Sequence, residues 1–100
     1  MTRRDAHRFL IAYDITDDRR RDRLARCLQR HGDRVQFSVF IVDVNPARIL
    51  RLRRELSTIS VVDADSVLIC DLGLTNSSHG QNLSFIGRTR PITGDGSRVL

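Results

Sequence analysis

The sequence predicts a single α+β domain in which an antiparallel sheet of four strands carries two helices. Three observations support this fold class. Apolar residues occur first at the density of a buried strand, then at helical spacing, then at strand density again, and this cycle runs twice. Residues typical of turns and helix caps separate the segments. With 100 residues, of which 40% are apolar, the chain has material for one hydrophobic core but not for a deep pocket.

The first strand is predicted over RFLIAYDI, which is mostly apolar and has a carboxylate, Asp14, near its end. The segment that follows, DDRRRDRLARCLQRHG, has the pattern of an amphipathic helix. Its apolar face is formed by Leu24, Cys27, Leu28 and His31. Thr16 is a suitable N-cap, and the aspartates after it suit the positive end of the helix dipole. Gly32 is a suitable C-cap, so the helix is predicted to lie between these two residues.

The segment DRVQFSVFIVDV is too long and too rich in β-branched residues for one strand. A hairpin or a bulge at Gln36-Phe37-Ser38 would divide it, so two strands are predicted. A second helix follows, with Asn45 as its N-cap and Pro46 as its first residue. Arg51 and Glu55 are predicted to pair on its solvent side. Its apolar face is formed by Ile49, Leu52, Leu56 and Ile59.

The run SVLICDLG supplies a fourth strand, and the order βαββαβ is that of the ferredoxin-like arrangement, with both helices on one face of the sheet. A polar loop over residues 74–82 follows. The apolar segment LSFIG is predicted to be a short extra C-terminal strand, so that this strand and the tail occupy about residues 83–100 of the single domain. The other face of the sheet is left open, and because residues 35–42 carry more apolar side chains than one face needs, a homodimer is expected.

The charge of the chain indicates an anionic partner. Its cations are 17 arginines without any lysine, and with 11 aspartates and one glutamate they give a formal net charge of +5. The planar guanidinium group matches phosphate oxygens, so this composition favours a nucleic acid as partner. A genome rich in G and C is an alternative source of the bias from lysine to arginine.

Four of these arginines lie on one face of the first predicted helix, opposite its apolar side. They are Arg19, Arg23, Arg26 and Arg30, which recur every three or four residues. We expect this stripe to bind phosphates. An ordinary solvated helix face is the alternative, although four like charges at this spacing repel one another with only Asp22 close by.

The remaining polar residues indicate no further site. Cys27 lies in a helical pattern and Cys70 in a strand pattern, without the spacing of a zinc motif, so both are predicted to be core thiols. The histidines His7, His31 and His79 have no partner at ligand spacing and receive no role. The N-terminal MTRRDAHR lacks the apolar run of a signal peptide, and no stretch approaches the ~20 apolar residues of a membrane span. A reduced, cytoplasmic protein without membrane contact is expected.

Several of these segments together resemble the CRISPR-associated Cas-two family, the small adaptation proteins encoded beside the spacer integrase. The resemblance rests on YDI at Tyr13–Ile15 with arginines following, on RVQFSVF at Arg34–Phe40, and on the later SVLICDLG and FIG blocks. Each block alone is weakly specific, but together they are strongly so, and they extend over the whole chain. The resemblance implies a ferredoxin-like homodimer.

The resemblance also implies a function. It implies a cytoplasmic dimer that bridges two dimers of the CRISPR-associated integrase and holds the double-stranded DNA of a new spacer. Some members of the family are metal-dependent nucleases that act on RNA or DNA, so single-stranded RNA is a second candidate ligand. Carried over to this chain, Asp14 is the catalytic and metal-binding residue, with Tyr13 and Ser38 beside it. Arg19, Arg34 and the other arginines are the residues implied to face nucleic acid.

A Mg²⁺ ion at Asp14 would need a second chain. One carboxylate cannot hold this ion firmly, because Mg²⁺ prefers six oxygen ligands and keeps several waters, whereas two carboxylates related by a dimer axis could. Many relatives have a glutamate where this chain has Ile41, so a carboxylate ligand at that position is absent here. The alternative for Asp14 is structural: its side chain would accept hydrogen bonds from backbone N–H groups at the start of the first helix.

Three hypotheses about function follow. The leading one is a non-catalytic nucleic-acid scaffold within an integration complex, which the basic surface and the small dimer support. The second is a metal-dependent endonuclease, which rests on one carboxylate per chain without a visible general base. The third is a toxin-type endoribonuclease of the virulence-associated D kind, which has the same fold but is disfavoured by the RVQFSVF and C-terminal blocks.

Overall fold

Four strands and two helices follow one another in the predicted order. The computed structural model describes residues 6–75, 83–90 and 92. The elements within these residues are β1 (His7–Asp14), α1 (Asp18–Gln29), β2 (Gly32–Gln36), β3 (Val39–Val44), α2 (Pro46–Ile59) and β4 (Ser66–Leu74). The predicted division of the long apolar segment is confirmed, because Phe37 and Ser38 form the turn between β2 and β3.

The four strands form one antiparallel sheet in the order β2-β3-β1-β4. Each helical connection therefore passes over a neighbouring strand, which is the predicted ferredoxin-like topology. In the register of β1 with β3, Phe9 lies opposite Val42 and Ile11 opposite Phe40. Because alternate residues of a strand point to the same face, these four side chains share the face that the helices cover.

The main hydrophobic core lies between that face and the two helices. Its fully buried members include Phe40 and Ile11 from the sheet and Leu24 and Leu52 from the helices. Each such side chain stabilises the fold by about 1.5–3 kcal/mol through removal of its apolar surface from water. The apolar helix faces predicted from sequence are therefore confirmed for all members but two, since His31 lies beyond the end of α1 and Ile59 is only partly buried. The buried residues of this core are Phe9, Ile11, Tyr13, Ile15, Leu24, Ala25, Cys27, Leu28, Phe40, Val42, Val44, Ile49, Leu52 and Leu56.

The start of each helix is capped by a side chain. In α2 the prediction is confirmed, since the side-chain oxygen of Asn45 accepts a hydrogen bond of 2.8 Å from the backbone N–H of Arg48. In α1 the predicted N-cap Thr16 is wrong. The carboxylate of Asp17, one residue later, accepts a hydrogen bond of 2.9 Å from the N–H of Arg20. A carboxylate there also interacts favourably with the helix dipole, which a hydroxyl does not.

The end of α1 also differs from the prediction. The helix ends at Gln29 with Arg30 as its C-cap, and Gly32 is already the first residue of β2. A Cβ atom on Gly32 would lie 2.1 Å from the carbonyl oxygen of Ile41 in β3. Glycine is therefore required here for the close approach of two strands and not for a helix cap.

The face of the sheet away from the helices, here called the outer face, is partly covered by C-terminal residues. Leu83, Phe85 and Ile92 pack there against Val35 and Ile41. Residues 83–90 contain no strand, so the prediction of a short C-terminal strand in this segment is wrong. A strand needs backbone hydrogen bonds to a neighbour, whereas this segment packs by its side chains onto the outer face. Residues 93–100 of the predicted tail lie outside the described residues.

Two further predictions are corrected by the outer face and by α2. Cys70 is exposed, because it lies on the outer face of β4 beside the exposed Leu68. Glu55 does not pair with Arg51 on the solvent side of α2, but turns towards α1, where Arg30 Nη2 lies 3.3 Å from its Oε2. Neither described helix has the length and apolar character that a membrane crossing requires.

A buried ion pair lies on the outer face between the two central strands. Arg8 of β1 and Asp43 of β3 are direct neighbours in the sheet. The guanidinium of Arg8 donates two hydrogen bonds to the Asp43 carboxylate, of 2.9 and 3.0 Å, and Arg8 is only 3% exposed. Arg8 is thus held within the sheet and does not contribute to the exposed cationic surface of the chain.

Candidate nucleic-acid interface

Asp14 lies at the C-terminal end of β1, opposite Ser66 of β4, and is exposed. Its carboxylate makes no hydrogen bond or ion pair with any described residue. The structural alternative for this residue is therefore wrong, since the side chain that caps the start of α1 is that of Asp17, which accepts a hydrogen bond from the N–H of Arg20. A free, exposed carboxylate at a strand end is available to a ligand from outside the chain.

The two residues predicted to support Asp14 tie the end of β1 to the turn between β2 and β3. The hydroxyl of Tyr13 donates a hydrogen bond of 3.4 Å to the carbonyl oxygen of Phe37, and the N–H of Tyr13 donates one of 3.1 Å to the carbonyl oxygen of Ser38. The Tyr13 ring is buried in the main core against Phe40. Because neighbouring side chains of a strand point to opposite faces, the phenol and the Asp14 carboxylate point away from each other.

The four arginines of the predicted stripe are all exposed, but they differ in their ion pairs. Arg19, Arg23 and Arg26 are exposed and form no ion pair with a described residue. Arg30 is also exposed, but its guanidinium contacts the Glu55 carboxylate. The three arginines without a carboxylate partner are here called the free stripe.

Two arginines next to the stripe in sequence are held by carboxylates. Arg20 donates hydrogen bonds of 2.8 and 3.1 Å to Asp65, whose carboxylate also accepts one of 2.8 Å from the N–H of Val61. The guanidinium of Arg20, followed by the N–H of Val61, lowers the pKa of Asp65. Arg21 pairs with Asp18 and donates to the carbonyl oxygen of Ile15 at 3.0 Å. These contacts hold α1 against the loops around it. The charges of Arg20 and Arg21 are therefore largely neutralised within the fold.

Arg34 occupies a different environment from the stripe. It is partly buried, with its guanidinium carbon 5.3 Å from the ring centroid of Phe40 and 5.9 Å from that of Phe37. Its Nε atom is buried without a hydrogen-bond partner among the described residues. The guanidinium of Arg21 lies 6.0 Å from the same Phe37 ring, which is 70% exposed. An exposed aromatic ring flanked by two cations is suited to contact a nucleobase or a phosphodiester backbone.

A cluster that the sequence reasoning missed lies between the two helices. Cys27 Sγ donates a hydrogen bond of 3.3 Å to Glu55 Oε2, and His31 Nε2 lies 3.7 Å from Glu55 Oε1. Burial, followed by the hydrogen bond to Glu55, raises the pKa of the Cys27 thiol to about 11. Burial also lowers the pKa of His31. The spacing of Cys27 and His31 on one helix face was visible in the sequence, but their partner on the other helix was not.

The chain matches the family model for the CRISPR associated protein Cas2 over residues 7–79. A CRISPR-associated endoribonuclease Cas2 from Rhodospirillum rubrum is 44% identical to it over 63 residues, which are 63% of this chain and 51% of that protein. The matched part of the chain thus spans about half the length of that relative.

Two solved structures are similar in fold. The Cas2 structure from Streptococcus pyogenes has a TM-score of 0.71 at 26% identity, and the match covers 80% of this chain and 99% of that one. A chain of a partial Cas6-RT-Cas1–Cas2 complex has a TM-score of 0.62 at 27% identity and covers 80% of this chain and 90% of that one.

Proposed function

The chain belongs to the CRISPR-associated Cas2 family, and on that premise we propose that it is a dimeric nucleic-acid scaffold for spacer acquisition. In this role two copies bridge two dimers of the CRISPR-associated integrase and hold the double-stranded DNA of the new spacer. The similarity to a chain of a complex that contains Cas1 supports an assembly of this kind. The positive net charge of +5 supports DNA as the ligand.

The observation that carries this proposal is the free stripe on α1. Arg19 and Arg26 are seven residues apart, so the stripe extends over about 10 Å of helix. That length corresponds to about three steps of one DNA strand, whose phosphates follow one another at about 3.4 Å along the duplex axis. Because these side chains have no carboxylate partner in the part of the chain that the structure describes, binding to phosphate breaks no ion pair there.

A second copy of the chain is supported by apolar side chains that remain exposed in the single chain. Leu68 on the outer face of β4 is 59% exposed, and Leu74 at the end of the same strand is 41% exposed. Large apolar side chains that a fold leaves in water are typical of surfaces that another chain covers. We therefore include the homodimer in the proposal.

A metal-dependent endonuclease is the second candidate, and the free carboxylate of Asp14 favours it. Asp14 of one chain supplies a single carboxylate to a Mg²⁺ ion, and Asp65, which precedes the strand partner of Asp14 in β4, is held by Arg20 and the N–H of Val61. Two Asp14 residues that face each other in a dimer, with water completing the coordination, fit the preferences of this ion. When bound, Mg²⁺ would polarise a phosphodiester oxygen as a Lewis acid.

The substitution Asp14→Asn separates the two candidates. It keeps the size of the side chain but removes the charge that a divalent cation requires. We expect the variant to remain dimeric by light scattering, to bind duplex DNA at least as well, and to support spacer integration by the partner integrase. Any Mg²⁺-dependent cleavage of RNA or DNA should be lost.

The matched control is Asp63→Asn, which removes the same charge at an exposed position in the loop before β4. It should alter neither cleavage nor integration. Loss of integration in Asp14→Asn, with the dimer and the DNA complex intact, would refute a purely scaffolding role. A protein that stays monomeric at all concentrations would refute the bridging role and the paired metal site together.

A further inference from the structure

Three potential metal ligands meet where α1 packs on α2. Cys27 lies on α1 and His31 follows two residues after the end of that helix, and Glu55 of α2 points towards both. The thiol sulfur, the imidazole nitrogen and the carboxylate oxygen all lie within 4.8 Å of one another. This group lies between the helices, whereas Asp14 lies at the end of β1, and it takes no part in the function proposed above.

We propose that Cys27, His31 and Glu55 form a zinc-binding site that links the two helices. Sulfur, nitrogen and oxygen are the donor atoms that zinc uses in proteins, with bond lengths of about 2.0–2.3 Å. In a tetrahedral site these bond lengths place neighbouring ligand atoms about 3.3–3.7 Å apart. Cys27 Sγ lies 3.3 Å from Glu55 Oε2 and His31 Nε2 lies 3.7 Å from Glu55 Oε1, so each of these two atoms is already at such a distance from one of the two carboxylate oxygens. The ligand atoms as a set lie within 4.8 Å of one another, so a contraction of about 1 Å at most would complete the geometry.

The surroundings of the three residues suit zinc better than magnesium. Cys27 is buried, His31 is mostly buried, and Glu55 is partly exposed, so three protein ligands leave a fourth position open to water. Burial keeps the imidazole of His31 neutral by lowering its pKa, which is the state that binds a metal. A thiol and an imidazole are poor ligands for Mg²⁺, which prefers oxygen.

Binding would displace one proton from the site. The pKa of Cys27 is raised to about 11, so this residue is a thiol at neutral pH in the metal-free protein. When the sulfur–zinc bond forms, the S–H bond breaks and the proton passes to the solvent, while both electrons of the S–H bond stay on sulfur. The affinity should therefore rise with pH.

Two arginines next to the cluster weaken the affinity. Arg30 Nη2 lies 3.3 Å from Glu55 Oε2 and competes for the carboxylate. Arg48 Nη2 lies 3.5 Å from Nδ1 of His31, and because a guanidinium only donates, this contact favours the tautomer of His31 that has its proton on Nε2. Zinc binding at Nε2 would move the proton to Nδ1, where it would face the Arg48 donor. Arg48→Gln should thus tighten zinc binding, since an amide oxygen can accept from Nδ1–H.

The test is a titration of the chelator-treated, full-length protein with zinc chloride, followed by calorimetry in two buffers of different ionisation enthalpy. We expect one zinc ion per chain and about one proton released for each ion. Cobalt(II) serves as an optical probe, because a thiolate ligand gives an intense charge-transfer band. His31→Gln should weaken binding by more than about tenfold, since losing a ligand outweighs losing a residue that only orients one.

Matched controls exist for both ligand types. Cys70→Ser and His7→Gln change a cysteine and a histidine outside the cluster and should leave the stoichiometry, the affinity and the cobalt band unchanged. Zinc should raise the melting temperature of the wild type but not that of His31→Gln, because zinc would bind only the folded form. This comparison remains informative if Cys27→Ser, a change in the core, does not fold.

Three results would overturn the proposal. They are the absence of zinc uptake by the folded wild type, uptake that is unchanged in His31→Gln, and a cobalt band that depends on Cys70 instead of Cys27. None of these bears on DNA binding or integration, so the zinc site and the scaffold function can fail separately.

Discussion

The free stripe on α1 allows a quantitative test of duplex binding. The perturbation is the triple variant Arg19→Gln, Arg23→Gln and Arg26→Gln, which removes three positive charges and keeps the helix propensity high. The three side chains are exposed and have no carboxylate partner in the described chain, so their replacement breaks no ion pair of the fold. The thermal stability should accordingly stay close to that of the wild type.

The expected magnitude follows from counterion release. Each phosphate contact contributes about −0.9 to the slope of log K against log salt concentration for duplex DNA, so three lost contacts per bound chain reduce the slope by about 2.7. Between 50 and 200 mM salt, the wild type should then lose about 40-fold more affinity than the triple variant. The loss should be the same for DNA of any sequence, because phosphates carry no base identity.

The assay is fluorescence anisotropy with a labelled duplex at several salt concentrations. The matched control replaces Arg51, Arg53 and Arg54 of α2, which are also exposed, and so removes the same net charge from the other helix. If the stripe contacts phosphate, only the α1 variant should lower the slope by the full amount. An unchanged slope, or an equal change in both variants, would refute the conclusion that α1 faces the duplex.

Two further predictions concern stability. Asp43→Asn should lower the free energy of unfolding by about 1.5–3 kcal/mol in chemical denaturation, because it removes the charge of a carboxylate to which the buried guanidinium of Arg8 donates two hydrogen bonds. Asp63→Asn should change this free energy by less than about 0.5 kcal/mol. Equal effects would contradict the burial of the pair. In the metal-free protein, stability should fall as the pH drops below about 6.5, because burial lowers the folded-state pKa of His31 and the unfolded chain takes up the proton first. His31→Gln should flatten this part of the melting-temperature profile, and an identical profile in both proteins would show that His31 is not responsible.

Much of the fold could be predicted because its elements are specified locally. The alternation of side chains along β1, the spacing of Leu24 and Leu28 and the N-cap at Asn45 each depend only on residues close by in the sequence. The errors at Thr16 and Gly32 are also local, since several residues at a helix end can act as a cap and only the backbone path selects one. Gly32 shows this clearly. A glycine is required at this position because β3 lies too close for a side chain, and not because of the helix that precedes it.

The candidate site was only partly predictable for the same reason. The sequence by itself determined that Asp14 follows a buried strand and that Arg19, Arg23, Arg26 and Arg30 share one helix face, because both statements depend on the period of a strand or a helix. Tertiary structure decided which of these charges remain free, since Glu55 reaches Arg30 from a helix that lies 25 residues further along the chain. It likewise brought Glu55 to Cys27 and His31 and placed Leu83 and Phe85 on the outer face instead of at a sheet edge. Ion pairs, metal ligands and the pairing of a strand all require a partner in space, and the position of that partner is set by the packing of the whole chain.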